Sequence, residues 1–412
     1  MELTSLNPLN ANAGHRSTPT RTDDLRESDE AYPIVVHSHL HWDWVWQRPQ
    51  QFLSRISNRH SVLFVQEPIA VEGLAAPRAR IREAEGLPNL TVLTLEFPPA
   101  LIAAREACDD AQYRLVRETL TGPLGRKFAR PVQWFYDPMA VVPFAGKMEE
   151  RAVVYDCMDQ LSQFRGAPPE LIRRERELLN LADVVFAGGP KIHKAKCLIN
   201  TNCHCYGCGV DVKHFGRAAV ASTSIPDDLS ALPGPRLGYF GVVDERMDYE
   251  LVAALADAHP EWSVVIIGPW TKVDPATFPQ RANLHWFGGR DYQQLPNYVK
   301  GFDVCLMPFA INEATEFINP TKALEYMAAA RPIVSTAIED VVLQFSDVVH
   351  VAHNRDGFIQ ACKEAVQRPD QQRIARGREL ASCNSWEEIV DRLEGHIEDA
   401  LETRRQLEIF AA

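Results

Sequence analysis

The sequence predicts an α/β protein made of two doubly wound, Rossmann-like domains facing a shared cleft. Three observations predict it. From about residue 31 a short apolar strand, a polar turn and an amphipathic helix recur in series. The series breaks between Arg217 and Pro235 and then resumes. A chain of 412 residues with 46% hydrophobic content is too long for one ordinary core and rich enough for two.

Residues 1–30 are polar, dominated by Ser, Thr, Asp, Arg and Pro, and hold no hydrophobic signal-peptide core. They read as a disordered tail. Residues 31–216 form the first domain. YPIVVHS, SVLFVQEP, LTVLTLEFP, PVQWFYDP, RAVVYDCMD and ADVVFAGG are short, rich in Val, Phe, Leu and Tyr, and bounded by Pro, Gly or Asp, which predicts strands. QQFLSRISNR and PPELIRRERELLNLA predict helices between them. Residues 217–235, RAAVASTSIPDDLSALPGP, are Ala-, Ser- and Pro-rich and read as the linker. Residues 236–384 form the second domain, with strands RLGYFGVV, WSVVIIGPW, NLHWFGG, DVCLMPF, RPIVST and VVHVAH and helices around 248–259, 292–301, 320–330 and 354–368. Residues 385–412 predict a long amphipathic helix, acidic early and carrying Arg404 and Arg405 late, as the helix dipole favours. It is expected to pack back toward the first domain. In doubly wound sheets ligands sit outside the carboxyl ends of the strands, so the loops there are where chemistry is expected.

Composition narrows the partners. A net charge of −12 argues against nucleic acid, which requires a clustered Lys/Arg face. Arg78, Arg80 and Arg82, and Arg126, Lys127 and Arg130, are small basic stretches. They read as solvated helix or loop faces, with contact to anionic lipid headgroups as the alternative. Nine cysteines scattered through a large chain fit reduced thiols rather than a disulfide framework. No apolar run approaches the ~18 residues of a membrane span. The expectation is a cytoplasmic protein, with weak peripheral membrane contact at most.

The most informative segment is NPTKALEYMAAARPIVST, Asn319 to Thr336. Asn319 suits an N-cap and Pro320 a first helical residue, with the helix reaching about Ala330 before Pro332 opens a buried strand. A helix N-terminus after a strand is an anion site, and Lys322 adds a charge suited to a diphosphate. Thr321 and Glu325 share a helix face, where the carboxylate can accept hydrogen bonds from a ribose diol. An ordinary capped helix with a surface Glu fits the pattern equally.

Several other groups invite roles. In HSHLHWDWVWQRPQQFLSRIS, His37, His39 and His41 alternate, but no acidic or Cys partner stands at a regular spacing, so no metal site is expected. Trp42, Trp44 and Trp46 are core aromatics or an apolar wall for a sugar face. Gln47 and Arg48 reach toward the cleft, Arg48 near a phosphate. Asp156 and Asp159 end a buried strand on the cleft side, and Tyr136 and Asp137 end another; a helix cap is the alternative role for Asp159. TNCHCYGCGVD carries Cys203, His204, Cys205 and Cys208 in a metal-like spacing, yet Cys203 and Cys205 read as small fillers on one strand face.

NPTKALEYMAAARPIV resembles the donor-site segment of retaining GT-B glycosyltransferases of the family-4 type. Its N-P-x-K-x-x-E-Y form is similar to a subgroup of bacterial teichuronic-acid and exopolysaccharide-type enzymes. Glu325 matches the second Glu of the family's E-x7-E pattern; position 317 is Phe and Glu316 is one residue out. Ala330-Arg331 stands where Gly and a variable residue are usual. GYFGVVDERMD, VVIIGPW and NLHWFGGRDYQQLPNYVKGFDVCLMPF resemble the family's successive strand–loop units, WDxxxQRPQQ the opening of its first helix, and CHCYGCGVDVKHF its strand and turn before the linker.

The resemblance implies a GT-B fold and transfer of a hexose-type sugar from a UDP- or GDP-linked donor, with retention and without a metal or cofactor. The implied acceptor is a growing polysaccharide or lipid-linked glycan in cell-surface polysaccharide synthesis. Donor contacts fall on Gly241, Arg246, Gly268, Phe287, Asn319, Thr321, Lys322 and Glu325, with Gly288 beside Phe287. The catalytic set is Asp159, Asp137, Arg246 and Lys322, and the acceptor side is His41, Trp42, Gln47 and Arg48. The place of a catalytic-side His in many relatives is taken here by Tyr136-Asp137. The rivals are a sugar-nucleotide epimerase or hydrolase on the same scaffold and a non-catalytic scaffold. A dinucleotide oxidoreductase would carry G-x-G-x-x-G after its first strand and a metal-dependent transferase an Asp-x-Asp; neither is found.

Overall fold

Alternation along the central strands divides each sheet into two apolar faces. The computed structural model describes residues 31–411, except 45, 123, 165, 272, 313, 314 and 316–320. The stretch 1–30, read as a tail, lies outside them. The first sheet holds β1 (Ile34–Ser38), β2 (Val62–Gln66), β3 (Ile69–Ala70), β4 (Arg78–Ala84), β5 (Leu87–Phe97), β6 (Val132–Phe135), β7 (Ala152–Cys157), β8 (Val184–Ala187) and β9 (Cys203–Cys205). In β1 and β2, Ile34, Val36, Val62 and Phe64 enter one core, while Val35, Leu63 and Val65 enter the core on the opposite face.

The strand order is β3-β5-β2-β1-β6-β7-β8-β9, with β4 paired antiparallel to β5 and the other pairings parallel. The second sheet runs β12-β11-β10-β13-β14-β15, all parallel, with β10 (Arg236–Phe240), β11 (Ser263–Ile267), β12 (Leu284–Trp286), β13 (Val304–Met307), β14 (Ile333–Thr336) and β15 (His350–Ala352). Both orders reverse beside their first strand, at β1/β6 and β10/β13, which is where a doubly wound sheet opens a crevice.

Two differences from the expected elements bear on the site. Arg78–Ala84 is a strand, not a helix or loop: every second residue is an arginine, so its alternation is one of charge rather than apolarity. The stretch 217–235, read as a linker, holds two short helical turns, and its Ala218 and Leu229 enter the core of the second domain with Val210 and Phe215. The chain crosses between domains twice, and the two crossings run side by side. Val210 N–H donates to the Asn384 carbonyl at 3.0 Å and Trp386 N–H to the Val210 carbonyl at 3.3 Å. The final helix, Trp386–Ala411, then buries Trp386, Ile389, Val390, Leu393 and Ile397 in a core of the first domain. Tyr32–Ala412 form one compact unit.

Candidate active site

The cleft between the two sheets measures about 840 Å³. From the second domain Arg246, Thr321, Lys322, Glu325, Tyr292 and Gln293 line it; from the first come Trp46, Gln47, Arg48 and Asp159. Thr321, Lys322 and Glu325 stand on the helix Thr321–Ala328, which buries Leu324, Tyr326 and Met327 in the core and keeps Glu325, itself buried, at the floor of the cleft. Asn319, Pro320 and Glu316 lie outside the described residues, so the expected cap and first helical residue are not seen. The helix ends before the expected Ala330 because Ala330 takes φ 56°, a left-handed turn into β14.

Lys322 Nζ lies 3.0 Å from Glu325 Oε2 and 4.9 Å above the centre of the Phe240 ring. That pair fixes both charges at the carboxyl end of β10. Gly241 follows β10 with φ 148°; a Cβ there would lie 2.6 Å from the Tyr239 hydroxyl and 3.0 Å from Lys322 Cε. At Gly268 a Cβ would lie 1.7 Å from the Gly241 carbonyl oxygen. Gly268 is therefore required by backbone packing on Gly241, not by an open approach to the cleft. Arg246 is held by Asp244, with Nε 2.9 Å from Oδ1. The hydrogen bond to Asp244 raises its guanidinium above the ordinary arginine value despite partial burial. Phe287 packs at the edge of the second core, with Arg290 over its ring, and is not a wall of the cleft.

On the first-domain side Pro49 stands in the first turn of the helix Arg48–Ile56, and Gln47 N–H donates to Gln50 Oε1 at 3.1 Å. Arg48 is committed rather than free for a phosphate. Its Nε reaches both oxygens of buried Asp156, at 3.0 and 3.1 Å, and Nη1 donates to the Tyr206 and Gly207 carbonyls at 2.6 and 3.0 Å. Burial opposes the charge, but Asp156 outweighs it and raises the arginine further. Burial raises Asp156 and Asp159 above the usual carboxylate range, with Arg48 opposing at both.

Trp42 is a core residue, edge-on to Phe64 at 5.2 Å, and not an acceptor wall. Of the three tryptophans in this loop, Trp44 and Trp46 are exposed. His41 is half-buried and lines neither pocket described here; its carbonyl accepts from Gln50 Nε2. Asp137 faces a separate cavity of about 200 Å³ at the carboxyl ends of β1, β2 and β6, with His39, Glu67 and Arg105. There it accepts from Met139 N–H at 2.9 Å, and burial raises its pKa with His39 pulling the other way.

Among the described residues no group of three His, Cys, Asp or Glu could hold a metal ion. Cys203 is buried, whereas Cys205 is exposed on the edge strand β9 and fills no core. Sequence reasoning missed Tyr292 and Gln293, which line the cleft. The Tyr292 ring stacks on His214 at 4.1 Å, and the His214 N–H is capped by Asp211. Both stand in the strand–loop unit NLHWFGGRDYQQLPNYVKGFDVCLMPF, but nothing local in it points them at the cleft; the contact to His214 comes from a distant stretch of the chain.

Residues 234–368 match the family model described as glycosyl transferases group 1. The second domain is a group 1 glycosyltransferase domain. The matched stretch holds β10 to β15 and every donor-side residue named above. The chain is 25% identical over 259 residues to a putative teichuronic acid biosynthesis glycosyltransferase, TuaH, of Bacillus subtilis (strain 168). That alignment covers 57% of this chain and 64% of the relative, so the chain spans less than two thirds of the relative's length.

Among solved structures, the E. coli trehalose-6-phosphate protein bound with UDP-2-fluoro glucose superposes with a TM-score of 0.63 at 13% identity, covering 89% of this chain and 99% of that one. Sucrose-phosphate synthase from Thermosynechococcus elongatus gives 0.60 at 15% identity, covering 92% and 100%. These likenesses show the fold: two Rossmann-like domains in the GT-B arrangement, the group 1 domain forming one wall of the cleft.

Proposed function

We propose that the protein is a hexosyltransferase-type GT-B enzyme. It moves a sugar from a UDP- or GDP-linked donor to a glycan or lipid-linked acceptor, with retention and without a metal ion, in cell-surface polysaccharide synthesis. The observation that carries this reading is the meeting of Arg246, Lys322 and Glu325 with Asp159 and Gln47 across one cleft. Two fixed cations suit a diphosphate and the charge that develops as it leaves. Glu325, already oriented by Lys322, suits a ribose diol. Asp159 faces them from the acceptor side. The teichuronic acid relative supports the polysaccharide role, and the UDP-sugar bound by the E. coli relative supports the donor class. Among the described residues no helix is long and apolar enough to cross a membrane, and the proposed site of work is the inner membrane face, by peripheral contact.

Calorimetry with UDP and GDP in EDTA tests the donor site, and a panel of sugar nucleotides with and without membrane extract tests transfer. Heat on nucleotide addition and turnover stimulated by extract are expected. Turnover equal without any acceptor would instead mark an epimerase or hydrolase. Glu325→Ala is expected to weaken nucleoside diphosphate binding by about 1.5–3 kcal/mol, with the melting temperature little changed, since its carboxylate faces the cleft.

A further inference from the structure

Arg78, Arg80 and Arg82 lie on β4, an edge strand of the first sheet. Residues two apart in a strand share a face, so the three guanidinium groups form one row at steps of ~7 Å. Glu96, opposite Arg78 in register, is buried beneath the row and holds Arg78 at 2.5 Å and Arg80 at 3.0 Å. The two arginine side chains stay 57% and 70% exposed, so this carboxylate orients them without covering them. Arg82 pairs with Asp43, in the loop that carries Trp44 and Trp46, which are 72% and 53% exposed. Trp46 in turn lines the cleft. A continuous surface therefore leads from the cleft rim across two indoles to a row of three arginines, on a chain of net charge −12.

We propose that this surface seats the acceptor as an extended acidic glycan, with carboxylate or phosphate groups along its length and its growing end in the cleft. The proposal rests on the transferase reading for what happens at that end. Indole faces stack on sugar rings, and the planar guanidinium fork matches carboxylate and phosphate. Continuity with the cleft through Trp46 favours a glycan, whose reacting end has to enter the cleft, as the occupant of the row. Asp43, exposed at the end of the row, also suits a single charged strand better than a broad anionic plane.

Affinity electrophoresis of the full chain in native gels tests this, with polygalacturonate as the acidic glycan and dextran as the neutral one. Polygalacturonate should slow migration in low salt, and dextran should not. Arg80→Gln with Arg82→Gln should cut the retardation roughly fivefold, while Arg80→Lys with Arg82→Lys keeps more of it. Both variants leave Arg78 on Glu96, and an unchanged melting temperature checks the fold. Trp44→Ala should weaken retention as well.

Absence of retardation, equal retardation by dextran, or retardation indifferent to the Gln variant would each overturn the proposal. So would co-sedimentation with phosphatidylglycerol vesicles that the Gln variant abolishes, if polygalacturonate is not bound; the row would then be a membrane face. Calorimetry with UDP and GDP separates the two readings. Retention without nucleotide binding would sink the transferase and leave the glycan surface standing. Nucleotide binding without retention would sink the surface alone.

Discussion

His37 stacks between Phe135 and Phe144, with ring centres 4.7 and 4.2 Å away, and its Nε2 lies 2.8 Å from Gln133 Oε1. Burial lowers its imidazole from 6.5 to about 4. Between those values the unfolded chain binds a proton that the folded chain refuses, so stability is full above the upper value and falls as pH drops toward the lower one. The loss by pH 4 is about 3 kcal/mol. Urea unfolding at pH 7, 6 and 5 should show it, with a shallower decline in His37→Gln. Ala330 carries a different local cost. Its φ of 56° is a conformation that costs an L-residue about 1–2 kcal/mol, and glycine removes that while adding freedom to the unfolded chain. Ala330→Gly is therefore expected to raise stability by about 0.5 kcal/mol, read as a higher unfolding midpoint. At this scale the sequence identified Ala330 as standing where glycine is usual, but it did not separate His37, a core residue, from His39, which lines a cavity.

The helix Arg48–Ile56 shows how an element acts through one residue at its start. Arg48 leaves its first turn to satisfy Asp156 at the end of β7 and two carbonyls of the segment that leads to the second domain. Arg48→Ala would leave a buried carboxylate without its partner, at a cost of about 3–5 kcal/mol near neutral pH. The loss should shrink as pH falls, because burial has already raised Asp156 and protonation removes the orphaned charge. Denaturant melts of this variant at two pH values check both statements. The central strands of both sheets were legible because apolar runs bounded by Pro, Gly and Asp have few other uses. β4 was not, because Arg78 and Arg80 find their partner in Glu96, which only the hairpin brings opposite, and Arg82 finds its own in Asp43, far off in the sequence.

Across the whole molecule the two domains are coupled where the chain crosses between them. Gly209 lies against Trp386, and a Cβ there would come within 2.6 Å of the indole and 3.1 Å of Ile389 Cδ1. Trp386 is buried and also borders the cleft, so it has little room to yield. Gly209→Ala should cost about 1–3 kcal/mol as an overpacked contact. It should also weaken nucleoside diphosphate binding if the domains are pushed apart, which thermal melts and calorimetry on one preparation can compare. The crossing pairs Val210 with residues near 385, a contact between distant parts of the sequence with no local pattern to announce it.

The sequence by itself determined the two doubly wound domains and, through the resemblance of its motifs, singled out Arg246, Thr321, Lys322 and Glu325, which the structure brings to one cleft. Strand period, helix period and the order of motifs are local, and local signals survive without coordinates. Only the tertiary structure decided which residues face one another: Trp42 in the core and Trp46 on the cleft, Arg48 bound to Asp156, Asp137 in a separate cavity, Gly268 against Gly241, and Tyr292 in the cleft with the helix Thr321–Ala328. Each of those outcomes depends on contacts between segments far apart in the chain, where a side chain's role is set by its neighbours rather than by its own type.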